Sequence, residues 1–230
     1  MGKVYNGPMR TTEKRPAATR RRNRPNRYPD ELLLDAAAEV FHGHGFHDAS
    51  MVDIAARAGV TKPTLYARLG SKDLLYDRVM ERIAQSLIDA MIAGYEGVET
   101  EEMAEAIARP TRAFFGWVRA NPVGFHLLFE RDHGTVAGVD YRDRALGTLT
   151  ELVESGNTRY LRERGLRRGR ATGLVAAACV GIWDHVARWA AAHHLLDDVD
   201  PVEVCTALIA SGLQGVNPEI VATLRARRRD

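Results

Sequence analysis

The chain has 230 residues, of which 45% are hydrophobic and 27% are charged, and its formal net charge at pH 7 is +2. This length allows a buried core in one large or two modest domains. No apolar run reaches transmembrane length, and no apolar signal segment follows the basic N-terminus, so we expect a cytoplasmic protein without a membrane partner. Cys179 and Cys205 lie in apolar helical patterns, which favours small buried residues over a disulfide or a metal pair.

The positive charge is concentrated at the N-terminus. Residues 1–27 contain nine basic side chains and one acidic one, whereas the rest of the chain carries a net charge of −6. Three prolines and a shortage of apolar residues prevent this segment from folding alone, so we predict a disordered basic arm. It is expected to lie along phosphates or in the minor groove through residues such as Arg21, Arg22 and Arg24, with a solvated tail as the alternative.

The first helical pattern begins near Tyr28, where a proline and an acidic residue suit a helix start. Its end is predicted at His42-Gly43-His44-Gly45-Phe46, with Phe46 folding back into a small core. His42, His44 and His47 are close in sequence, but histidines are common near helix ends, and neither a carboxylate nor a thiol completes a set of metal ligands. We therefore predict no metal site.

Two short helical patterns separated by a glycine follow. The first has an apolar face formed by Val52, Ile54, Ala55 and Ala58. Gly59 comes where a helix ends in the left-handed conformation. Thr61 is a good N-cap for the second pattern, and Pro63 falls in its first turn. The inward face of the second pattern is predicted at Leu65, Tyr66 and Leu69. The pair predicts a helix-turn-helix, whose second helix is shaped to enter a major groove.

This stretch resembles the tetracycline-repressor (TetR) family of bacterial regulators. The resemblance is carried by Ile54-Ala55-x-x-Ala58-Gly59-Val60-Thr61, Thr64-Leu65-Tyr66 and Ser71-Lys72, within roughly residues 30–80. Leu69 stands where the family usually has an aromatic residue, and Pro63 where it often has glycine or a small residue. The resemblance implies a three-helix DNA-binding domain, which we place at residues 28–76, and a transcriptional regulator.

Roles within this unit follow from the geometry of the motif. Ser50, Ser71 and Lys72 lie at helix starts and offer hydroxyl, backbone N–H and ammonium groups to phosphates. The N-terminal turn of the recognition helix, which meets base edges, holds Thr61, Lys62, Pro63 and Thr64. Lys62 can bond guanine acceptors, and the Thr64 methyl can touch thymine. The resemblance implies that the Tyr66 hydroxyl meets a phosphate, and Arg68 can reach backbone or bases. Thr61 as a pure cap and Tyr66 as pure core are the alternatives.

The remaining chain contains no strand or hairpin pattern, so we predict an all-α fold in which residues 77–230 form a helical ligand-binding and dimerisation domain. Helices are predicted over residues 72–93, 101–120, 123–131, 141–165, 171–195 and 201–216. The last two carry wide apolar faces, at Leu174, Ala178, Gly181, Ile182 and His185 and at Val204, Leu208, Ile209 and Leu213. The resemblance implies a homodimer through these two helices, which presents two recognition helices to a palindromic operator.

A ligand pocket is predicted in the middle of the helical domain. Its candidate lining residues are Phe114, Trp117, Phe125, His126, Phe129, Trp183 and His185. The same side chains serve equally well as ordinary core. Aromatic walls would suit a small apolar or aromatic effector, which would shift the dimer between states that fit and do not fit the operator. No cofactor is predicted.

An enzyme is not predicted, because the sequence has no G-x-S-x-G elbow, no Walker loop and no H-E-x-x-H pair. We interpret the chain as a dimeric, ligand-responsive transcriptional regulator, more readily a repressor because it would work by occupying promoter DNA on the bacterial nucleoid. The alternatives are a nonspecific DNA-binding protein driven by the basic arm, and a regulator-like fold whose helical domain has an unrecognised enzymatic activity.

Overall fold

The computed structural model describes residues 29–97, 102–130, 141–157, 162, 170–196 and 200–215. Within these ranges the regular structure is entirely helical, which confirms the predicted all-α fold. The helices are α1 (Asp30–Asp48), α2 (Met51–Arg57), α3 (Lys62–Leu69), α4 (Lys72–Tyr95), α5 (Met103–Ala120), α6 (Pro122–Phe125), α7 (Tyr141–Gly156), α8 (Arg170–Ala192) and α9 (Pro201–Gly215). None of these helices is long and apolar enough to cross a membrane.

Several predicted features fall outside the described residues. They are the basic arm with Arg21, Arg22 and Arg24, the loop at residues 133–140, and the residues after 215. The prediction for the arm therefore stays a prediction.

The first three helices and the start of α4 enclose one end of the core, which we call the head. Leu33 of α1, Ile54 of α2 and Leu65 of α3 are fully buried there, so each short helix contributes its apolar face to one cluster. Phe46 packs against Phe41 and Tyr76, at ring-centroid distances of 6.1 and 5.0 Å. The expectation that Phe46 folds back into this core is confirmed.

The end of α1 differs from the prediction. Helical turns continue through His42 and His44 to Asp48, with one interruption at Gly45, whose φ is +76°. The Ala49 N–H then bonds to the carbonyl oxygen of Gly45 at 3.1 Å. Gly45 therefore bends the segment but does not end it, because the hydrogen bonding resumes on the far side.

Helix α4 joins the head to the remaining helices, which we call the body. Its predicted buried line is confirmed, since Leu75, Val79, Ile83, Leu87 and Met91 are all buried. The proposed domain boundary at residue 76 falls inside this continuous helix. At the other end of α4, a Cβ atom on Gly94 would lie only 2.7 Å from the Ala113 Cβ, so the absence of a side chain there lets α4 approach α5 closely.

The body differs from the predicted elements in the region after α5. The single helix predicted over residues 123–131 is a short α6 that continues as a π-helical turn over His126–Glu130. Apolar spacing alone does not reveal this turn, because it does not indicate which carbonyl each N–H bonds to. Helix α7 ends at Gly156, and most of the rest of the helix predicted to residue 165 lies outside the described residues.

A buried carboxylate holds α7 against α8. Asp184 of α8 is buried and accepts hydrogen bonds from Arg142 of α7 at 2.7 Å and from Arg188, one turn further along α8, at 2.9 Å. Two guanidinium partners offset the cost of removing this charge from water. Cys179 and Cys205 are buried, as predicted, and burial raises the pKa of each thiol to about 11.

Candidate nucleic-acid interface

The turn between α2 and α3 is fixed by caps at both helix starts and by one glycine. The Ser50 hydroxyl caps α2, accepting from the Asp53 N–H at 3.1 Å and donating to the Asp53 carboxylate at 2.6 Å. Gly59 has a φ of +67°, the left-handed conformation predicted for it. The Val60 N–H then bonds back to the Ala55 carbonyl at 3.0 Å. This closed turn sets the angle at which α3 leaves α2.

The first turn of α3 is exposed. The Thr61 hydroxyl accepts from the Thr64 N–H at 3.3 Å, so the predicted cap is present. Lys62, Pro63 and Thr64 are all exposed. The Lys62 Nζ atom lies over the Tyr66 ring, 5.8 Å from its centroid. An exposed turn with an ammonium and a threonine methyl is the part of a recognition helix that meets base edges.

Two residues predicted to face inward are exposed instead. Tyr66 is exposed while Leu65 and Leu69 are buried, because successive residues are about 100° apart around a helix and Leu65 and Leu69 lie one turn apart. The pure-core alternative for Tyr66 is therefore wrong. Val52 is likewise exposed, beside the buried Ile54. Ala67 also faces outward, at the i+3 spacing from Thr64 that could have identified it.

Arg68 points back into the head. Its side chain is 16% exposed and forms an ion pair with Asp30 at the start of α1. The sequence predicted that this guanidinium contacts the DNA backbone or the bases. In the structure it ties the recognition helix α3 to α1.

Lys72 is also engaged within the head. Its Nζ atom donates to the carbonyl oxygens of Phe46, His47 and Ala49 at 2.9, 3.1 and 3.1 Å. These bonds occupy all three ammonium donors and satisfy carbonyls at the end of α1. The Lys72 side chain therefore acts as a cap for α1, whereas the sequence predicted a phosphate contact. Ser71 caps α4 by accepting from the Leu74 N–H at 3.3 Å and remains exposed.

Comparison with known proteins agrees with this geometry. Residues 33–79 match the sequence profile of the family described as "Bacterial regulatory proteins, tetR family". The matched segment is therefore a TetR-family DNA-binding domain. Among its relatives, the HTH-type transcriptional activator FasR of Mycolicibacterium smegmatis is 38% identical over 139 residues, which cover 59% of this chain and 62% of FasR. The match thus spans less than two thirds of that relative's length. The other relatives that match include proteins named as HTH-type transcriptional repressors, BdcR and ComR of Escherichia coli.

Solved structures extend the similarity over most of the chain. A TetR-like transcriptional regulator from Rhodococcus sp. RHA1 is 27% identical, with a TM-score of 0.59 over 81% of this chain and 96% of that one. FadR from Bacillus subtilis, solved in complex with stearoyl-CoA, is 15% identical, with a TM-score of 0.60 over 82% of this chain and 100% of that one. At this identity the similarity to FadR shows a shared fold alone.

Most of the predicted pocket residues are packed core. Phe114 stacks on Trp183 at a centroid distance of 5.8 Å, and the Trp183 Nε1–H donates to Thr111 at 3.2 Å. Phe129 is buried as well, and the Trp117 Nε1–H donates to Ser86 at 3.0 Å. The void beside Trp183 measures about 10 Å³, which is too small for an organic ligand. His185 is exposed on α8 and lines neither this void nor the cavity at Phe125, so its place in a pocket stays a prediction.

Phe125 and His126 line a larger cavity where the head meets the body. Its volume is about 440 Å³, and its other lining residues are His42, Val118, Pro122, Val123, Ala191, His194 and Leu196. The rings of His42 and His126 meet edge to face at a centroid distance of 4.5 Å. Sequence reasoning missed His42 and His194 as pocket residues because only the packing of α1, α6 and α8 brings them together. In the described ranges no group of three or more histidine, cysteine, aspartate or glutamate side chains is placed to hold a metal ion.

Among the described residues, helices α8 and α9 each expose large hydrophobic side chains. They are Leu174 and Trp189 on α8 and Val204 and Leu208 on α9. The sequence grouped Val204 and Leu208 with Ile209 and Leu213, but the latter two are buried in the core of the body. Each helix therefore has two apolar sides, one used within the chain and one open.

Proposed function

We propose that this protein is a transcriptional regulator that binds a palindromic operator as a homodimer and changes its DNA affinity when a small molecule binds. The observation that carries the proposal is the exposed first turn of α3, with Lys62 and Thr64, on the helix-turn-helix of a TetR-family DNA-binding domain. Arg68 and Lys72 make contacts within the head, so base reading is assigned to Lys62 and Thr64.

The proposed contacts divide by chemistry. Lys62 and Thr64 read base edges, with Thr61 and Pro63 fixing the turn that carries them. The Tyr66 hydroxyl, Ser50 and Ser71 meet phosphates, and the arm at residues 1–27 adds sequence-independent attraction through Arg21, Arg22 and Arg24. In this scheme residues 28–76 bind DNA, and residues 77–230 bind the ligand and the partner subunit.

The exposed face of α8 and α9 supports the homodimer. Leu208 is 55% exposed, and Leu174, Trp189 and Val204 are exposed with it. Apolar patches of this kind mark protein–protein contacts, and a twofold contact between two copies of α8 and α9 forms a four-helix bundle. The dimer places two copies of α3 on successive turns of one face of the duplex, as a palindromic operator requires.

The effector is proposed to be a small apolar or aromatic molecule. Phe125 and His126, at the cavity of about 440 Å³, support this part of the proposal. Long-chain acyl-CoA, the class of compound bound in the FadR complex, belongs in a ligand screen. We expect repression of transcription, because a protein that occupies promoter DNA excludes polymerase. FasR is named an activator, so whether this protein represses or activates should be measured.

Selection of bound fragments from genomic DNA tests the proposal. A regulator that binds such DNA is expected on the nucleoid in the cytoplasm. We expect recovered promoter fragments to share a palindrome and to bind about a thousandfold more tightly than scrambled DNA at physiological salt. Transcription from such a promoter in vitro, with and without the protein, gives the sign. Equal affinity for both DNAs would contradict the proposal and favour the nonspecific DNA-binding alternative.

A further inference from the structure

The cavity of about 440 Å³ lies between the head and three parts of the body. His42 reaches it from α1, Val118 from α5, His126 from the start of the π-helical turn, and His194 from the end of α8. Small-molecule sites typically measure about 300–1,000 Å³. A molecule held here would touch the helix that carries the head and the body helices at once.

The wall of the cavity has a simple chemical composition. Six of its residues are apolar, namely Val118, Pro122, Val123, Phe125, Ala191 and Leu196. The polar side chains in the wall are the imidazoles of His42, His126 and His194. Each imidazole has an N–H group that can donate to an oxygen acceptor. This combination suits an apolar body with a carboxylate at one end.

Two of the histidines that line this cavity lie in irregular backbone segments. His194 has a φ of +56°, and among the described residues it alone is a non-glycine residue with positive φ. The His194 and Leu195 N–H groups bond to the Ala191 and Ala190 carbonyls at 3.1 and 2.9 Å, which fixes this conformation. His126 opens the π-helical turn, a rare element that is frequent at functional sites.

We propose that this cavity binds an apolar carboxylic acid as the effector. The apolar body lies against Phe125, Val118 and Leu196, and the carboxylate accepts hydrogen bonds from His42, His126 and His194. The inference rests on the proposed function and names the chemical class of its ligand. A small inorganic anion would leave the apolar wall unfilled, and the described residues hold no metal-binding group that would suit a cation.

Occupancy of the cavity couples to the head through His42. The rings of His42 and His126 touch across the boundary between α1 and the π-helical turn, at a centroid distance of 4.5 Å. A carboxylate that prefers one separation of these rings shifts the population of head orientations by its difference in affinity. Operator affinity changes by the same factor.

The test measures binding of 2-naphthoate and of its neutral analogue 2-naphthamide to the full-length protein by calorimetry, without DNA. We expect the acid to bind at least about tenfold more tightly than the amide. His194→Asn, which tolerates a positive φ, and His126→Leu should each remove this preference. His185→Leu is the matched control, because His185 lies outside the cavity on the exposed side of α8. Equal binding of acid and amide, or no binding of either, overturns the proposal.

A separate groove lined by arginines provides a further control. Arg78, Arg82 and Arg144 line a cavity of about 570 Å³ between α1, α4 and α7. If Arg78→Gln abolished binding of 2-naphthoate while His194→Asn left it unchanged, the acid would be bound in the groove, and the proposal would be wrong. If His126→Leu failed to fold, His194→Asn would decide the question.

Operator binding separates this inference from the proposed function. We expect saturating 2-naphthoate to change operator affinity several-fold in the unmodified protein and to leave it unchanged in His194→Asn. Acid-selective binding in a protein with no preferred operator would refute the regulator function and keep the site. Specific operator binding without acid-selective binding would refute the site alone.

Discussion

The Nζ atom of Lys72 at the start of α4 lies 2.9 Å from the carbonyl oxygen of Phe46 at the end of α1. Two further carbonyl oxygens, of His47 and Ala49, accept from the same ammonium group. We predict that Lys72→Met lowers the free energy of unfolding by about 2 kcal/mol, because it leaves these carbonyls without their charged donor. Urea unfolding followed by circular dichroism measures the loss. Lys62→Met is the matched control. If both changes lowered the free energy of unfolding by the same small amount, the capping role of Lys72 would be wrong and its predicted phosphate contact would be favoured.

Lys62 is predicted to control base choice. Lys62→Met should weaken binding to the preferred operator by about 1–3 kcal/mol and reduce discrimination at one base pair in each half-site. The Lys62→Met variant should fold normally, because the Lys62 side chain is exposed. Fluorescence anisotropy with single-base-pair operator variants at constant salt measures both effects. Uniform weakening across all variants would show that Lys62 contacts phosphate.

Arg68 and Asp30 are predicted to act as a pair. A double-mutant cycle of Arg68→Ala and Asp30→Ala should give a coupling energy for unfolding of about 0.5–1 kcal/mol, because Asp30 is half exposed and water screens the pair. Asp30→Ala alone should also weaken binding to every operator variant, since it loosens α3. Should Asp30→Ala leave DNA binding intact while Arg68→Ala alters base preference, Arg68 reads DNA directly.

Leu208 is predicted to lie in the dimer contact. Leu208→Glu buries a charge in an apolar interface, so sedimentation equilibrium should give the mass of one chain in place of two. Leu32→Glu is the matched control, since Leu32 of α1 is 52% exposed and Leu208 is 55% exposed. The Leu208→Glu variant should also bind palindromic DNA more weakly than the unmodified protein. A Leu208 variant that stays dimeric would place the contact elsewhere.

The two buried thiols are predicted to be inert in the folded protein. Burial raises the pKa of Cys179 and of Cys205 from 9.0 to about 11. Because the thiolate is the nucleophile, both should react with Ellman's reagent near neutral pH only after unfolding in urea.

The raised pKa values also set a pH window for stability. The stabilising contribution of the buried neutral thiols is complete below about pH 9 and is lost as the pH rises toward about 11, because the unfolded chain releases those protons first. Replacement of both cysteines by alanine should flatten the fall in unfolding free energy over this window. A stability curve with the same slope in the variant would contradict this assignment.

The head was predictable because its signals are local. The cap at Thr61 and the left-handed Gly59 were predicted because each depends on residues within one turn, and the structure has both. The buried line of α4 was predictable for a similar reason, since a helix packed along one side repeats its apolar residues every turn. These features follow from backbone geometry that a short segment determines alone.

The roles of long polar side chains were less predictable. Lys72 and Arg68 have the charge of DNA-contacting residues, but their partners, the Phe46 carbonyl and the Asp30 carboxylate, come from α1. A flexible cation binds whichever acceptor the fold brings close, and the distance along the chain does not reveal that acceptor. The pocket prediction failed at Trp183 for the same reason. Trp183 stacks on Phe114, a residue distant in sequence, and leaves no space there for a ligand.

By itself the sequence determined the all-helical fold, the helix-turn-helix and the exposed first turn of α3 at Lys62 and Thr64, because short-range hydrogen bonding and apolar periodicity set them. The tertiary structure alone decided which face of α9 is open, which cations hold the head together, and that His42, His126 and His194 share one cavity. Those outcomes depend on how helices distant in sequence pack against one another, and local spacing does not specify that packing.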